Sequence, residues 1–143
     1  MNGWNRNKHK SGFLISWSRK NGKRKQRFLR NEGRKHNAGK RTLYLAGKIT
    51  GDPYYFTKFY NAQKKLEEGG FIVVNPALLP AEGFTWEAYM RMSGAMLAEC
   101  AEVCFLPDWK ESKGAQREFD EAFVQEKPFF FFEEWEAKQN AEK

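Results

Sequence analysis

A single pattern recurs from Arg41 onward: a short apolar run, a break at glycine, asparagine or proline, then a stretch with apolar residues at helical spacing. Residues 42–46 (TLYLA) run straight into Gly47, and residues 57–68 place Phe59, Ala62 and Leu66 three and four apart before Gly69 and Gly70 stop the helix. Residues 71–74 (FIVV) read as a buried β-branched strand that ends at Asn75 and Pro76, because proline has no amide hydrogen for a ladder. Residues 86–99 are predicted helical, with Trp86, Tyr89, Met90, Met96 and Leu97 as the apolar face. A third strand, 103–106 (VCFL), closes at Pro107, and a third helix over 114–125 turns Ala115, Phe119, Ala122 and Phe123 inward. Residues 129–132 (FFFF) give a fourth strand, and 133–143 form a charged tail with helical potential.

Strands alternating with helices imply right-handed crossovers and a parallel sheet covered on both faces. The expected fold is therefore α/β: a small doubly wound, flavodoxin-like parallel sheet of about four to five strands with helices on both faces, plus a basic N-terminal arm. Domain boundaries are placed at 1–40 for the arm and linker, 41–134 for the α/β domain and 135–143 for the tail. In such sheets ligands sit outside the carboxyl ends of the strands. The loops to watch are 47–51, 75–77 and 108–118.

Charge divides sharply along the chain. Residues 1–40 carry 13 Lys or Arg against Glu32 alone, whereas the remainder is acidic by five charges, so the overall +7 says little about the domain's own ligand. In the arm, Asn21 and Gly22 tolerate positive φ and lie between a run at 13–17 and another at 24–29, which predicts a type I′ hairpin within a weakly ordered segment. Residues 31–40 read as linker. Thirteen cations interleaved with Trp4, Phe13, Trp17 and Phe28 suit weak nucleic-acid contact, or merely solubilise the chain. No apolar run reaches the roughly 18 residues of a membrane span, and the N-terminus lacks an apolar signal segment, so a soluble cytoplasmic protein with no membrane partner is expected. Cys100 and Cys104 lack the further ligands of a metal tetrahedron and read as buried reduced thiols; neither metal nor cofactor is expected. Both histidines, His9 and His36, precede the domain, leaving carboxylates, hydroxyls and cations for any chemistry there.

Three features carry that chemistry. Gly47, Lys48, Ile49, Thr50 and Gly51 follow the first strand, where glycine admits close approach, the Thr50 hydroxyl donates and Lys48 neutralises an anion; a plain turn is the alternative. Ser112, Gly114 and Ala115 open the third helix, whose free amides favour phosphate, unless Ser112 is only a cap. Glu118 lies one turn further in, beside the apolar stripe, as a partly buried carboxylate or an ordinary solvated one.

The ordered motifs YLAGKITG (44–51), VVNPA (73–77), WEAYMR (86–91), FLPDW (105–109) and ESKGAQREFDEA (111–122) together resemble a poorly characterised branch of the nucleoside 2-deoxyribosyltransferase-like superfamily. That resemblance covers about 90 residues and leaves the arm outside. It implies deoxyribosyl transfer or hydrolysis of a deoxynucleoside 5′-monophosphate, with Glu118 attacking the anomeric carbon to form a covalent glycosyl ester. It also implies Ser112 as a phosphate ligand, where transferases of unphosphorylated nucleosides hold a 5′-hydroxyl with aspartate. The loop residues Gly47, Lys48, Ile49 and Thr50 would line the site with Asn75 and Pro76, and Arg91 and Ser93 would join from the second helix. Three positions depart from the pattern. Ser93 replaces the aspartate that protonates the leaving base, Ala101 replaces an acid and Asp108 replaces a glycine. Proton donation would then fall to Asp108 or Tyr44. A homodimer is expected from the resemblance. Three readings result: an N-glycosidase or deoxyribosyltransferase, a silent nucleotide-sensing module of the same fold, or a nucleic-acid-associated protein acting through its arm.

Overall fold

The computed structural model describes the backbone of three N-terminal strands and the whole of residues 40–143. The strands are β1 (Trp4–Asn7), β2 (Phe13–Lys20) and β3 (Lys23–Arg30), in the order β1-β2-β3, with both pairs antiparallel. Lys20 faces Lys23 across β2 and β3, so their connection is the dipeptide Asn21-Gly22, which itself lies outside the described residues, as does the expected linker up to residue 39. Residues 1–41 and 42–143 form two separate compact units.

The second unit contains β4 (Arg41–Ala46), α1 (Tyr55–Glu68), β5 (Phe71–Val74), α2 (Trp86–Glu99), β6 (Glu102–Phe105), α3 (Lys113–Val124), β7 (Phe129–Phe131) and α4 (Phe132–Ala141). Four parallel strands lie in the order β5-β4-β6-β7. The chain therefore steps outward from β4 to β5, returns across β4 to β6 and continues to β7, which puts the reversal of direction between β4 and β6. At such a reversal the loops leaving the two strands diverge onto opposite faces and leave a crevice.

Alternation along β4 supplies both cores. Leu43 and Leu45 pack with Phe59, Ala62 and Leu66 of α1 and with Phe132 of α4, while Tyr44 and Ala46 pack with Leu97 of α2 and Ala122 of α3. Cys104 joins the first layer and Val103 and Phe105 the second, and both cysteines are buried free thiols. Two details differ from the expected helical faces. The buried stripe of α2 is Met90, Ser93 and Leu97, with Trp86 displaced toward solvent, and the stripe of α3 is Ala115, Glu118 and Ala122, with Phe123 exposed. In each case strict steps of three and four residues win over the summed hydrophobicity of the neighbours.

The tail is more than a charged appendage. Phe132 starts a helix instead of ending the strand, and α4 lays Trp135 against Phe71 and Phe130 while Lys65 pairs with Glu136. The indole sits so close to Gly69 that a Cβ there would lie 2.6 Å from its ring, so the glycine pair ends α1 and also admits the tryptophan. Among the described residues no helix is long and apolar enough to cross a membrane.

Candidate functional site

A cleft of about 1080 Å³ opens at the carboxyl ends of β4 and β6. Its walls are the 47–53 loop, the 76–81 segment, the N-terminal half of α2 and the first turns of α3. Tyr44 and Glu118 form its floor. Glu118 is only 5% exposed, because the helical step from Ala115 to Ala122 carries it onto the sheet, and Tyr44 is fully buried on the same face. The Tyr44 hydroxyl donates to Glu118 Oε2 at 2.5 Å.

Burial sets the electrostatics of this pair. Loss of water pushes the Glu118 carboxyl up to about 7, against hydrogen bonds from Tyr44 and Ser93 that favour its ionised form, while nearby Glu121 raises it further. Tyr44 is held well above the usual phenol range, first by burial and then by the adjacent Glu118 charge. Ser93 lies buried beside them, its Oγ 3.3 Å from the Met90 carbonyl, so its one proton is shared between the carboxyl and the helix backbone. The cleft thus holds a carboxyl whose charge changes near neutrality, with a hydroxyl fixed on it. Carboxyls perturbed by burial in a cleft cluster at functional sites and also occur in structural networks.

Ser112 caps α3: its Oγ accepts from the Ala115 amide at 3.1 Å, which leaves the hydroxyl proton to donate into the cleft. Gly114 lies so near Met90 that a Cβ would approach its sulfur to 3.2 Å, so glycine lets the α3 N-terminus close on α2. Lys113 from the same turn lines the cleft. Amides, dipole and hydroxyl together offer an anion site within one cleft with Glu118.

Most of the expected residues meet here. Tyr44, Gly47, Ile49, Thr50, Pro76, Ser93, Ser112, Gly114, Ala115 and Glu118 all line the cleft. Four others do not. Arg91 is exposed on α2, next in sequence to Met90 but off the buried stripe of Met90, Ser93 and Leu97. Asn75 is turned into its own turn, accepting from the Ala77 amide and donating to Gln63. The Lys48 side chain runs toward Glu111, 3.8 Å away. Asp108 is committed to scaffolding: its Oδ1 accepts from the Lys48 amide at 3.1 Å and its Oδ2 from Lys58. Both oxygens of Asp108 are thus engaged by the chain after β4 and by α1, and the residue does not line the cleft.

Lys58 was not legible in the sequence. Its ammonium donates to the Lys48 carbonyl at 2.8 Å, to Asp52 Oδ2 at 2.5 Å and to Asp108, stapling the loop after β4 to the loop after β6. The contact joins residues up to 50 positions apart, and periodicity carries no trace of it. Trp86, Tyr89 and the 79–81 segment were also missed as cleft walls. Among the described residues no group of three or more His, Cys, Asp or Glu could hold a metal ion.

Residues 41–131 match the model of the family described as Domain of unknown function (DUF4406). The chain belongs to that family. No curated protein matches the sequence. The family region begins at the first residue of β4 and ends at the last of β7, so it contains the whole cleft and omits the arm and α4.

Proposed function

We propose that this domain is an N-glycosidase or deoxyribosyltransferase acting on a deoxynucleoside 5′-monophosphate through a covalent glycosyl ester on Glu118. The observation that carries the reading is a buried carboxyl on the floor of the cleft, hydrogen-bonded to Tyr44 and sharing that cleft with the Ser112-capped N-terminus of α3. A phosphate at Ser112 and the first amides of α3 would anchor the sugar. Glu118 Oε then bonds to C1′ as the C1′–N bond breaks, and water or an acceptor base later reopens the ester. The sequence resemblance points to the same chemistry.

The test is intact-mass measurement after incubation with a panel of deoxynucleoside monophosphates. A sugar-phosphate adduct with free base is expected, and both should vanish in Glu118→Gln while nucleotide binding persists. Binding with neither adduct nor base would instead favour a nucleotide-sensing module. That second reading is favoured by Ser93, a hydroxyl lining the cleft where the resemblance places the acid for the leaving base.

Two partner assignments accompany the proposal. Exposed Tyr54, Phe56, Phe84 and Trp86 on this domain suit a homodimer, tested by light scattering across concentration. In the arm, β2 and β3 set Arg19 opposite Arg24 and Lys20 opposite Lys23. The 13 cations of the first 40 residues favour an anionic partner, for which weak nucleic-acid contact is the proposal.

A further inference from the structure

Breaking a glycosidic bond leaves an electron pair on the departing ring nitrogen, and an ordinary nucleobase needs a proton delivered to it as that happens. The cleft is poorly furnished for this. Tyr44 directs its proton at Glu118 and binds it more tightly than a free phenol does. Ser93 is an aliphatic hydroxyl that donates to a backbone carbonyl. Asp52 is hydrogen-bonded to Lys58, which lowers its pKa and keeps it a carboxylate. No histidine stands among the described residues that line the cleft. Glu118, which titrates near neutrality, is the group the reaction needs as its nucleophile.

The lining also brings acidic and aromatic groups together. Glu87 and Glu118 line the cleft with Lys113, Asp52 and Glu111 line it while paired with Lys58 and Lys48, and the rings of Tyr55, Trp86 and Tyr89 border it. Acidic groups with aromatic faces suit a flat cation.

We propose, resting on the glycosidase reading above, that the base expelled from this cleft is already cationic, an N-alkylated purine or pyridinium ring attached to a 5′-phosphorylated sugar. With such a substrate the missing acid is not needed. Glu118 Oε bonds to C1′, the C1′–N bond breaks, and its electron pair returns to the ring, cancelling the positive charge without any proton transfer. Water then adds to C1′, the carboxylate leaves, and the water's proton passes to solvent. The cation serves the nucleophile as well: a positive ring near Glu118 favours its ionised form, which a neutral base cannot do.

The test compares 2′-deoxyguanosine 5′-monophosphate with its N7-methyl derivative, which differ in one methyl group and one charge, and adds nicotinamide mononucleotide as a pyridinium probe. Spontaneous base loss is subtracted using Glu118→Gln. Release from the methylated nucleotide should exceed release from the parent by about 100-fold or more in kcat/KM, the order of what a general acid supplies. Its pH profile should rise through the Glu118 titration and then stay level, with no descending limb. Equal rates for the two guanine nucleotides, or a bell-shaped profile, would overturn the cationic-base proposal and leave the glycosidase reading standing. No adduct and no base from any of these nucleotides or the deoxynucleoside monophosphate panel would overturn both.

Discussion

Tyr44 and Glu118, 74 positions apart in the chain, meet through a 2.5 Å hydrogen bond that ties the first strand of the parallel sheet to the helix after its third. The phenol sits where it opposes the effect of burial on the carboxyl. Removing the hydroxyl while keeping the ring, in Tyr44→Phe, should raise the Glu118 titration and shift the ascending limb of the kcat/KM profile to higher pH. A hydrogen bond to a charged group contributes about 1.5–3 kcal/mol, or about one to two pH units. An unmoved midpoint would show that Tyr44 does not act on the carboxyl.

The same titration predicts a stability trend. The folded pKa of Glu118, about 7, lies above its unfolded value near 4.5, so the folded state binds the proton more tightly. That contribution is fully present below about 4.5 and is lost as pH rises through about 7, a change of roughly 3 kcal/mol. Glu118→Gln should therefore gain melting temperature relative to wild type at pH 8 and lose that advantage at pH 4.5. A difference independent of pH would argue that Glu118 is not buried as described.

Ser112→Asp preserves a capping oxygen for α3 but sets a carboxylate where a phosphate would bind. Binding of a deoxynucleoside monophosphate should weaken by at least about tenfold more than binding of the matching nucleoside, from charge repulsion at roughly 4 Å. Equal losses measured by calorimetry would make Ser112 a cap alone.

The Lys58 staple holds the rim, so Lys58→Met leaves Asp52 and Asp108 without their ammonium. Loss of such charge-assisted bonds should lower the denaturant midpoint and raise KM more than it lowers kcat. Gly47→Ala provides a second probe of the same loop. Its Cβ would stand 2.9 Å from Leu106 Cδ1 and 3.2 Å from Phe59 Cζ, a clash expected to cost about 1–3 kcal/mol. A neutral effect would mean that the loop yields more readily than its packing implies.

For the arm, replacing Arg19, Lys20, Lys23 and Arg24 with Gln in the full chain should abolish a steep salt-dependent affinity for DNA and RNA and leave nucleotide binding unchanged. Equal nucleic-acid binding by both proteins at moderate salt would assign the arm no such role.

The fold was legible because its signals are local. Phe71–Val74 and Trp86–Glu99 are bounded by Gly70, Asn75, Thr85 and Cys100, and each change of period coincides with a breaker or cap. Glu118 and Ser112 were legible because both lie on one helix whose start is written in its own residues. The pairing partners were not. Asp108 read as a proton donor because its partner, Lys58, belongs to a different crossover and left no trace beside it in the sequence, and Arg91 read as a ligand although the buried step on α2 runs from Met90 to Ser93 and Leu97. Sequence spacing locates a residue on its own element and is silent about which loops of other elements arrive beside it.

The position of α4 bears on how this protein can be handled. The matched region stops at residue 131, one position before a helix whose Phe132 and Trp135 pack in one cluster with the partly buried Phe71 and Phe130. A recombinant fragment cut to the family limits would expose a contiguous patch of aromatic rings over a parallel sheet, and it should precipitate or self-associate on expression even with every cleft residue intact.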